Sequence, residues 1–328
     1  MREAAFVKRN SGKWQRLEQL VAGRGTDITP DETSALYIEL NDDLSYARTF
    51  YPGAQVTAYL NTLAAGMHRH IYRNQRTGMG RFASFWKTEL PLLMAATRKQ
   101  LAISAGVFLV AVIIGGLSAR FDSTFTRLIM GDGYVNMTLE NIKEGKPMAV
   151  YGSSPMVDMF FAITFNNIMV SFYAFAMGVL LSYGTWLILV QNGIMLGAFQ
   201  YFMFEQGVLQ ESLLSIWLHG TIEISCIVIA GAAGIVMGNS ILFPGTYTRL
   251  ASFRRGALNG VKIIIGLVPC FILAGFIESF ITRRSATMPP ALNIAIIGGS
   301  LAFIIGYFII YPYHVEHTHR LHRTTPAA

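Results

Sequence analysis

Charged residues are scarce in this 328-residue chain, since only 14% of its residues are Asp, Glu, Lys or Arg while 52% are hydrophobic. A soluble domain of average composition carries about 25% charged residues. Cysteine is also scarce. Cys226 and Cys270 both lie in apolar runs, which argues against a disulfide framework and against a thiolate metal site. Neither GxxxxGK[ST] nor GxGxxG occurs, so we expect no nucleotide hydrolysis and no cofactor.

The chain contains six long apolar runs. Each comes close to the roughly 20 residues that a membrane-spanning helix needs. They lie at 100 to 118, 165 to 188, 190 to 208, 213 to 240, 258 to 281 and 291 to 312. The fold class that they predict is all-α, a polytopic membrane bundle of about six transmembrane helices within 100–312. The run 190 to 208 carries several polar residues, so it is either a full span or a re-entrant half-helix.

The basic residues indicate how the bundle is oriented. Residues 1–99 hold 14 Lys and Arg, whereas the loop 118–164 holds four against five acidic residues. The positive-inside bias therefore places the N-terminal region, the loop 240–257 and the tail 313–328 in the cytoplasm, with 118–164 outside. If residue 164 lies outside and residue 240 lies in the cytoplasm, the chain between them crosses the membrane an odd number of times. Three crossings are obtained when 190 to 208 is a true span. The net charge of +7 indicates attraction to the lipid bilayer, and no nucleic-acid partner is needed to explain it.

The first 99 residues are expected to form a cytoplasmic helical module. One helix should end at the break Tyr51-Pro52-Gly53, and a second should cover about 54 to 75. In residues 81–100 aromatic and basic residues alternate, which indicates an interfacial amphipathic helix that leads into the first span. The alternative is that these aromatic residues pack against the two preceding helices.

Small residues recur inside the predicted spans. Such residues let helices approach closely, which favours a compact bundle over a wide pore. The candidates for close helix packing are Gly193, Gly197, Gly220, Gly231, Gly234 and Gly238. A homodimer is compatible with this pattern, although no stretch of sequence fixes the stoichiometry.

Ionisable residues within the fourth run require an explanation, because charged groups are expensive inside a bilayer. His219 and Glu223 lie one helical turn apart in LHGTIEISCIVIAGAAG (218–234). Together with 165–199 and with LAGFIESFIT at 273–282, this segment resembles the three signature segments of the stage II sporulation protein M family, in order and in spacing. The residue before His219 is commonly proline in that pattern and is Leu218 here.

The resemblance implies a multi-pass helical protein of the bacterial cytoplasmic membrane that organises partner proteins. In the sporulating branch those partners degrade peptidoglycan, whereas the opening of this chain resembles a longer form from bacteria that do not sporulate. A non-enzymatic scaffold that couples other membrane or envelope proteins is therefore the leading hypothesis. The alternatives are a transporter or channel component for a small solute or lipid, and an intramembrane metal-dependent hydrolase.

When the family pattern is matched to this chain residue by residue, it predicts an intramembrane polar cluster. Its members are Asn166, Asn167, His219, Glu223 and Glu278. The predicted topology places all five in the outer half of the membrane, with the two asparagines beginning the inward run of the second span. The cluster is then a hydrogen-bonded clasp, the wall of an outward-open cavity, or a set of metal ligands. We expect no bound metal, and His219, Glu223 and Glu278 are the candidates if there is one.

Two further segments are candidate functional surfaces. The tail carries a second set of metal-type donors, His314, His317, His319 and His322, and the alternative is a partly charged tail at the membrane surface. The outer loop is long for a connector and is patterned as two short helices separated by Gly131-Asp132-Gly133. A periplasmic or cell-wall partner would be expected to dock on that loop.

Overall fold

A computed structural model describes residues 2–22, 30–72, 78–152 and 155–324 of the chain. Every regular element within these ranges is helical, which confirms the all-α prediction. The chain divides into two compact units, Met1–Arg81 and Phe82–Ala328. We call them the N-terminal unit and the bundle unit.

The N-terminal unit consists of three helices around a core of its own. They are α1 (Glu3–Val21), α2 (Pro30–Phe50) and α3 (Gln55–Tyr72). Trp14 is 2% exposed and packs with Leu17, Leu40 and Leu60, which are each fully buried. The indole nitrogen of Trp14 donates to Asp43 Oδ2 at 2.9 Å, so the ring is held at both its apolar and its polar edge. The predicted break lies between α2 and α3.

The bundle unit holds the remaining helices. They are α4 (Gly78–Ser84, which crosses the unit boundary), α5 (Leu90–Ala96), α6 (Arg98–Phe121), α7 (Phe125–Met130), α8 (Asp132–Lys143), α9 (Met156–Ala176), α10 (Tyr183–Glu205), α11 (Leu209–Leu242), α12 (Arg249–Phe276), α13 (Pro290–Ile305) and α14 (Tyr311–Thr324). Six helical stretches in the described residues are long and apolar enough to cross a membrane, which confirms the predicted bundle. The run 190 to 208 corresponds to α10, a continuous helix of 23 residues.

The second span begins nine residues earlier than predicted, because the helix runs from Met156 to Val179 and not from 165 to 188. A tight turn follows, in which Leu181 and Ser182 have positive φ values of 55° and 69°. Hydropathy cannot mark this turn, since the apolar run continues straight through it. The long connection between the first two spans therefore covers 122–155 and not 118–164. We call the end of the bundle that carries 122–155 the loop end, and the opposite end the amino end.

Helix α11 lies at the centre of the bundle. The most apolar window of this helix is 72% buried, against 11% for the stretch that includes α13 and α14. Helices α6, α9, α10, α12 and α13 all contact it. An element surrounded in this way fixes the positions of its side chains more firmly than a helix that faces lipid.

Glycine makes the closest helix contacts of the bundle. At Gly193 an added Cβ would meet Ala111 Cβ at 2.6 Å, and at Gly197 it would meet the carbonyl oxygen of Val112, so α10 crosses α6 almost backbone to backbone. A side chain at Gly231 would meet Leu189, one at Gly234 would meet Thr185, and one at Gly238 would meet Ser182. Small residues at crossings allow this approach.

Gly220 was expected to pack in the same way, and that expectation is wrong. The nearest atoms to an added Cβ belong to the same helix, Ile216 at 3.7 Å and Ile224 at 3.8 Å. Gly220 faces a cavity and not a neighbouring helix. The family pattern singles out Gly220, but a sequence pattern does not tell which side of a buried helix meets a partner.

The segment that precedes the first span belongs to the bundle unit, so the first compact unit ends at Arg81 and not at residue 99. Leu90 and Met94 are buried in the main core of the bundle, with Phe85 and Trp86 packed against it. The hydroxyl of Tyr307 donates to the carbonyl oxygen of Trp86 at 2.7 Å. Trp86 therefore packs against the middle of α12, at Gly266 and Cys270, and against the carboxyl-terminal end of α13.

Candidate functional site

Helix α11 places two ionisable side chains on one face near the loop end of the bundle. His219 and Glu223 are four residues apart, which is about one turn of an α-helix. The His219 side chain is only 5% exposed. Its depth follows from the position of α11 at the centre of the bundle, where α12 covers this face.

The third ionisable group comes from the end of α12, where the helix widens into a π-helical turn at Ile277–Ile281. Such insertions re-aim side chains and are frequent at functional sites. Glu278 lies in this turn, with its Oε1 3.8 Å from His219 Nε2. One donor atom from each of His219, Glu223 and Glu278 lies within 4.8 Å of the other two. The structure thus brings these three predicted residues together.

Thr282 orients the imidazole ring. Its hydroxyl oxygen lies 3.1 Å from His219 Nδ1, and its own proton is directed to the carbonyl oxygen of Ile277 at 3.3 Å. With that proton engaged, the hydroxyl oxygen accepts from Nδ1–H. This tautomer leaves the lone pair of His219 Nε2 facing Glu278.

Asn167 holds the second carboxylate. Its Nδ2 donates to Glu223 Oε1 at 2.5 Å. Asn166 lines the adjacent cavity instead. Because α9 begins at Met156, both asparagines lie in the middle of this helix, so the expectation that they begin the second span is wrong.

A cavity of about 520 Å³ opens above the cluster. Its walls come from α6, α9, α10 and α11, while Ile129, Met130 and Tyr134 of α7 and α8 cover it at the loop end. Asn166, Asn167, Asn192, His219 and Glu223 supply its polar surface. Among the described residues that line the cavity there is no Lys or Arg, and its ionisable groups are His219 and Glu223. It is suited to a cation or to a group that donates hydrogen bonds.

Residues 104–283 match the family model described as Stage II sporulation protein M. The chain belongs to this family. The match covers more than half of the chain and contains all five residues of the predicted polar cluster. A second family model, a domain of unknown function (DUF8413), matches residues 4–73. No curated protein and no solved structure matches the chain.

Within this stage II sporulation protein M bundle, sequence reasoning missed three residues that shape the site. Asn192 and Tyr134 line the cavity, and Thr282 positions His219. Asn192 carried a signal, because it is a polar residue inside an apolar run. Thr282 carried none, since a hydroxyl beside two arginines at a helix end has many ordinary roles.

The histidines of the tail lie outside the family match, on or near α14. His314 and His317 flank a surface pocket with Glu316, and His319 is exposed. The His322 side chain lies outside the described residues. Within the described part of the chain, the one group of three or more metal-type donors is His219, Glu223 and Glu278, so the tail does not form such a group there.

Proposed function

We propose that this multi-pass membrane protein is a scaffold that organises partner proteins across the bacterial cytoplasmic membrane. The proposal rests on the close helix packing in the half of the bundle that lies away from the loop end. Gly231, Gly234 and Gly238 bring α11 into contact with α6, with α10 and with the turn before α10. The cavity lining on α11 ends at Ile227, one turn before Gly231, which supports a cavity that is closed toward the amino end of the bundle. A rigid bundle with a blind cavity suits a structural organiser better than a conduit.

The N-terminal unit supports the same proposal. It has its own aromatic and aliphatic core, so it can present a fixed surface to a partner. The basic residues in 1–99 favour a cytoplasmic position for this unit, and six spans return the tail to the same side. The loop end then faces outward, where α7 and α8 expose Leu128, at 78%, and Met137, at 38%. Cell-envelope remodelling is the setting that the family resemblance suggests.

In-cell photocrosslinking tests the scaffold proposal. A photoreactive amino acid is placed at Leu128 on the loop end and at Ile38 on the N-terminal unit, which are both well exposed. The matched control is Ile113, which is exposed on the lipid-facing side of α6. We expect the same envelope or membrane protein to be captured reproducibly at Leu128 or Ile38 and not at Ile113. Capture of lipid alone at all three positions would contradict the proposal.

Transport is the second candidate, because the cavity reaches an ionisable residue inside the bundle. A transporter must open this cavity to each side of the membrane in turn. After Cys226 and Cys270 are replaced by alanine, a cysteine placed at Asn192 reports access by reaction with an impermeant thiol reagent. Labelling from the loop side alone is expected for a scaffold. Labelling from both sides would favour a transporter.

A further inference from the structure

The polar cluster brings two carboxyl groups and one imidazole ring together inside the bundle. Buried carboxylates are ordinarily paired with a base or bound to a metal. Glu223 receives the amide of Asn167, which is neutral, and Glu278 faces a histidine ring whose nearest nitrogen carries a lone pair. Glu223 and Glu278 also share a hydrogen bond, so either a proton or a cation lies between the two groups.

We propose that His219, Glu223 and Glu278 bind one divalent transition-metal ion of the zinc class at the inner end of the cavity. Zinc lies 2.0–2.2 Å from nitrogen and carboxylate ligands, so tetrahedral geometry places the ligand atoms roughly 3.4 Å apart. The separation of 3.8 Å between His219 Nε2 and Glu278 Oε1 is already close to this value. The whole set, within 4.8 Å, needs a shift of side chains on the order of 1 Å and no movement of a helix.

The surroundings of the three ligands match those of a metal centre. Metal-binding histidines usually engage their second ring nitrogen in a hydrogen bond that fixes the tautomer, and ligating carboxylates are hydrogen-bonded in turn. Thr282 makes the first of these contacts and Asn167 makes the second. The two neighbours therefore orient ligands that come from α11 and from the end of α12.

The ligand set also indicates the class of ion and its coordination. Imidazole with two carboxylates suits zinc and similar transition ions, whereas magnesium and calcium prefer oxygen ligands alone. Three protein ligands leave a fourth position of a tetrahedral ion, and His219 and Glu223 both line the cavity. A water molecule or a ligand in the cavity would complete the coordination. Metal binding at this position is independent of whether the protein is a scaffold.

Zinc content of the purified full-length protein tests the proposal. The protein carries a peptide tag without histidine, and His314, His317, His319 and His322 are replaced by alanine so that the tail cannot bind metal. After chelation, loading with zinc chloride and desalting, we expect elemental mass spectrometry to find about one zinc per chain. Glu278→Gln and His219→Gln should each reduce retained zinc at least 10-fold, whereas Glu205→Gln, an exposed carboxylate at the end of α10, should leave it unchanged.

A variant of the residue that positions His219 tests whether zinc is lost through misfolding. Thr282→Val keeps the shape of the side chain but removes the acceptor for His219 Nδ1–H, so zinc affinity should fall roughly 10- to 100-fold while the elution profile stays the same. Cobalt(II) supplies an independent readout, because tetrahedral coordination gives visible absorption bands that the parent should show and His219→Gln should lose. A zinc-free parent protein without cobalt bands, or equal zinc in the parent and in Glu278→Gln, would overturn the proposal.

Discussion

At the scale of single residues, the hydrogen bond from Asn167 to Glu223 is the contact that joins α9 to the polar cluster. A buried carboxylate that loses its donor is left with the full penalty of desolvation. Asn167→Ala should therefore lower the free energy of unfolding by about 1–3 kcal/mol. Thermal unfolding of the detergent-solubilised protein, followed by tryptophan fluorescence, measures this change.

The adjacent asparagine provides the matched control. Asn166 lines the cavity, where water can replace its contacts, so Asn166→Ala should change stability by less than about 0.5 kcal/mol. Equal losses in the two variants would show that the residues act through helix α9 as a whole and not through the bond to Glu223.

The sequence predicted part of this site. The spacing of four residues placed His219 and Glu223 on one helix face, and the family resemblance added Asn167 and Glu278. The contact between His219 and Thr282 was not predictable, because it depends on the π-helical turn at Ile277–Ile281. An extra residue in a helix turn is set by packing against neighbouring helices, and local sequence carries little trace of it.

At the scale of helices, the crossing of α6 and α10 depends on Gly197. A Cβ at this position would meet the backbone of Val112 and Gly116, which cannot move without separating the helices. Gly197→Ala should therefore destabilise the protein by about 1–3 kcal/mol. Chemical or thermal unfolding in detergent measures the loss.

For Gly220 we expect the opposite result, although α11 is more buried than α10. An added methyl group would meet only Ile216 and Ile224 at ordinary contact distance, and alanine favours a helix over glycine by about 1 kcal/mol. Gly220→Ala should be neutral or stabilising in the same assay. A loss as large as that of Gly197→Ala would mean that contact geometry does not decide which glycines matter.

The turn between α9 and α10 shows what hydropathy cannot predict. Leu181 has a φ of 55° and is half exposed, a conformation that glycine adopts without strain. Leu181→Gly should be neutral or slightly stabilising, because the relief of left-handed backbone, about 1–2 kcal/mol, offsets the roughly 0.5–1 kcal/mol that the added freedom of the unfolded chain costs. The thermal midpoint measures the net change.

Leu180 serves as the control for this turn, since its φ of −79° suits any residue. Leu180→Gly should destabilise the protein by roughly 0.5–1 kcal/mol through the added freedom of the unfolded chain. The sequence placed a span in this region correctly but misplaced its end, because leucine occupies positions where a turn signal would be glycine or asparagine.

At the scale of the whole molecule, two compact units in one chain predict two folding units. The core of the N-terminal unit depends on Trp14, which is 2% exposed. Removal of a buried tryptophan costs about 3–5 kcal/mol, which is comparable to the whole stability of a small domain. The fragment 1–77 should therefore be helical by circular dichroism and should unfold cooperatively, whereas its Trp14→Ala variant should be largely unfolded.

Two further variants separate the apolar and polar contributions of this side chain. Trp14→Phe keeps most of the ring but removes the donor to Asp43, so it should cost about 1–3 kcal/mol and leave the fragment partly folded. Ile38→Ala, at a side chain that is 62% exposed, should stay within about 0.5 kcal/mol of the native fragment. If fragment 1–77 lacks a cooperative transition even with Trp14 in place, its core is insufficient alone, and the N-terminal unit then requires the rest of the chain to fold.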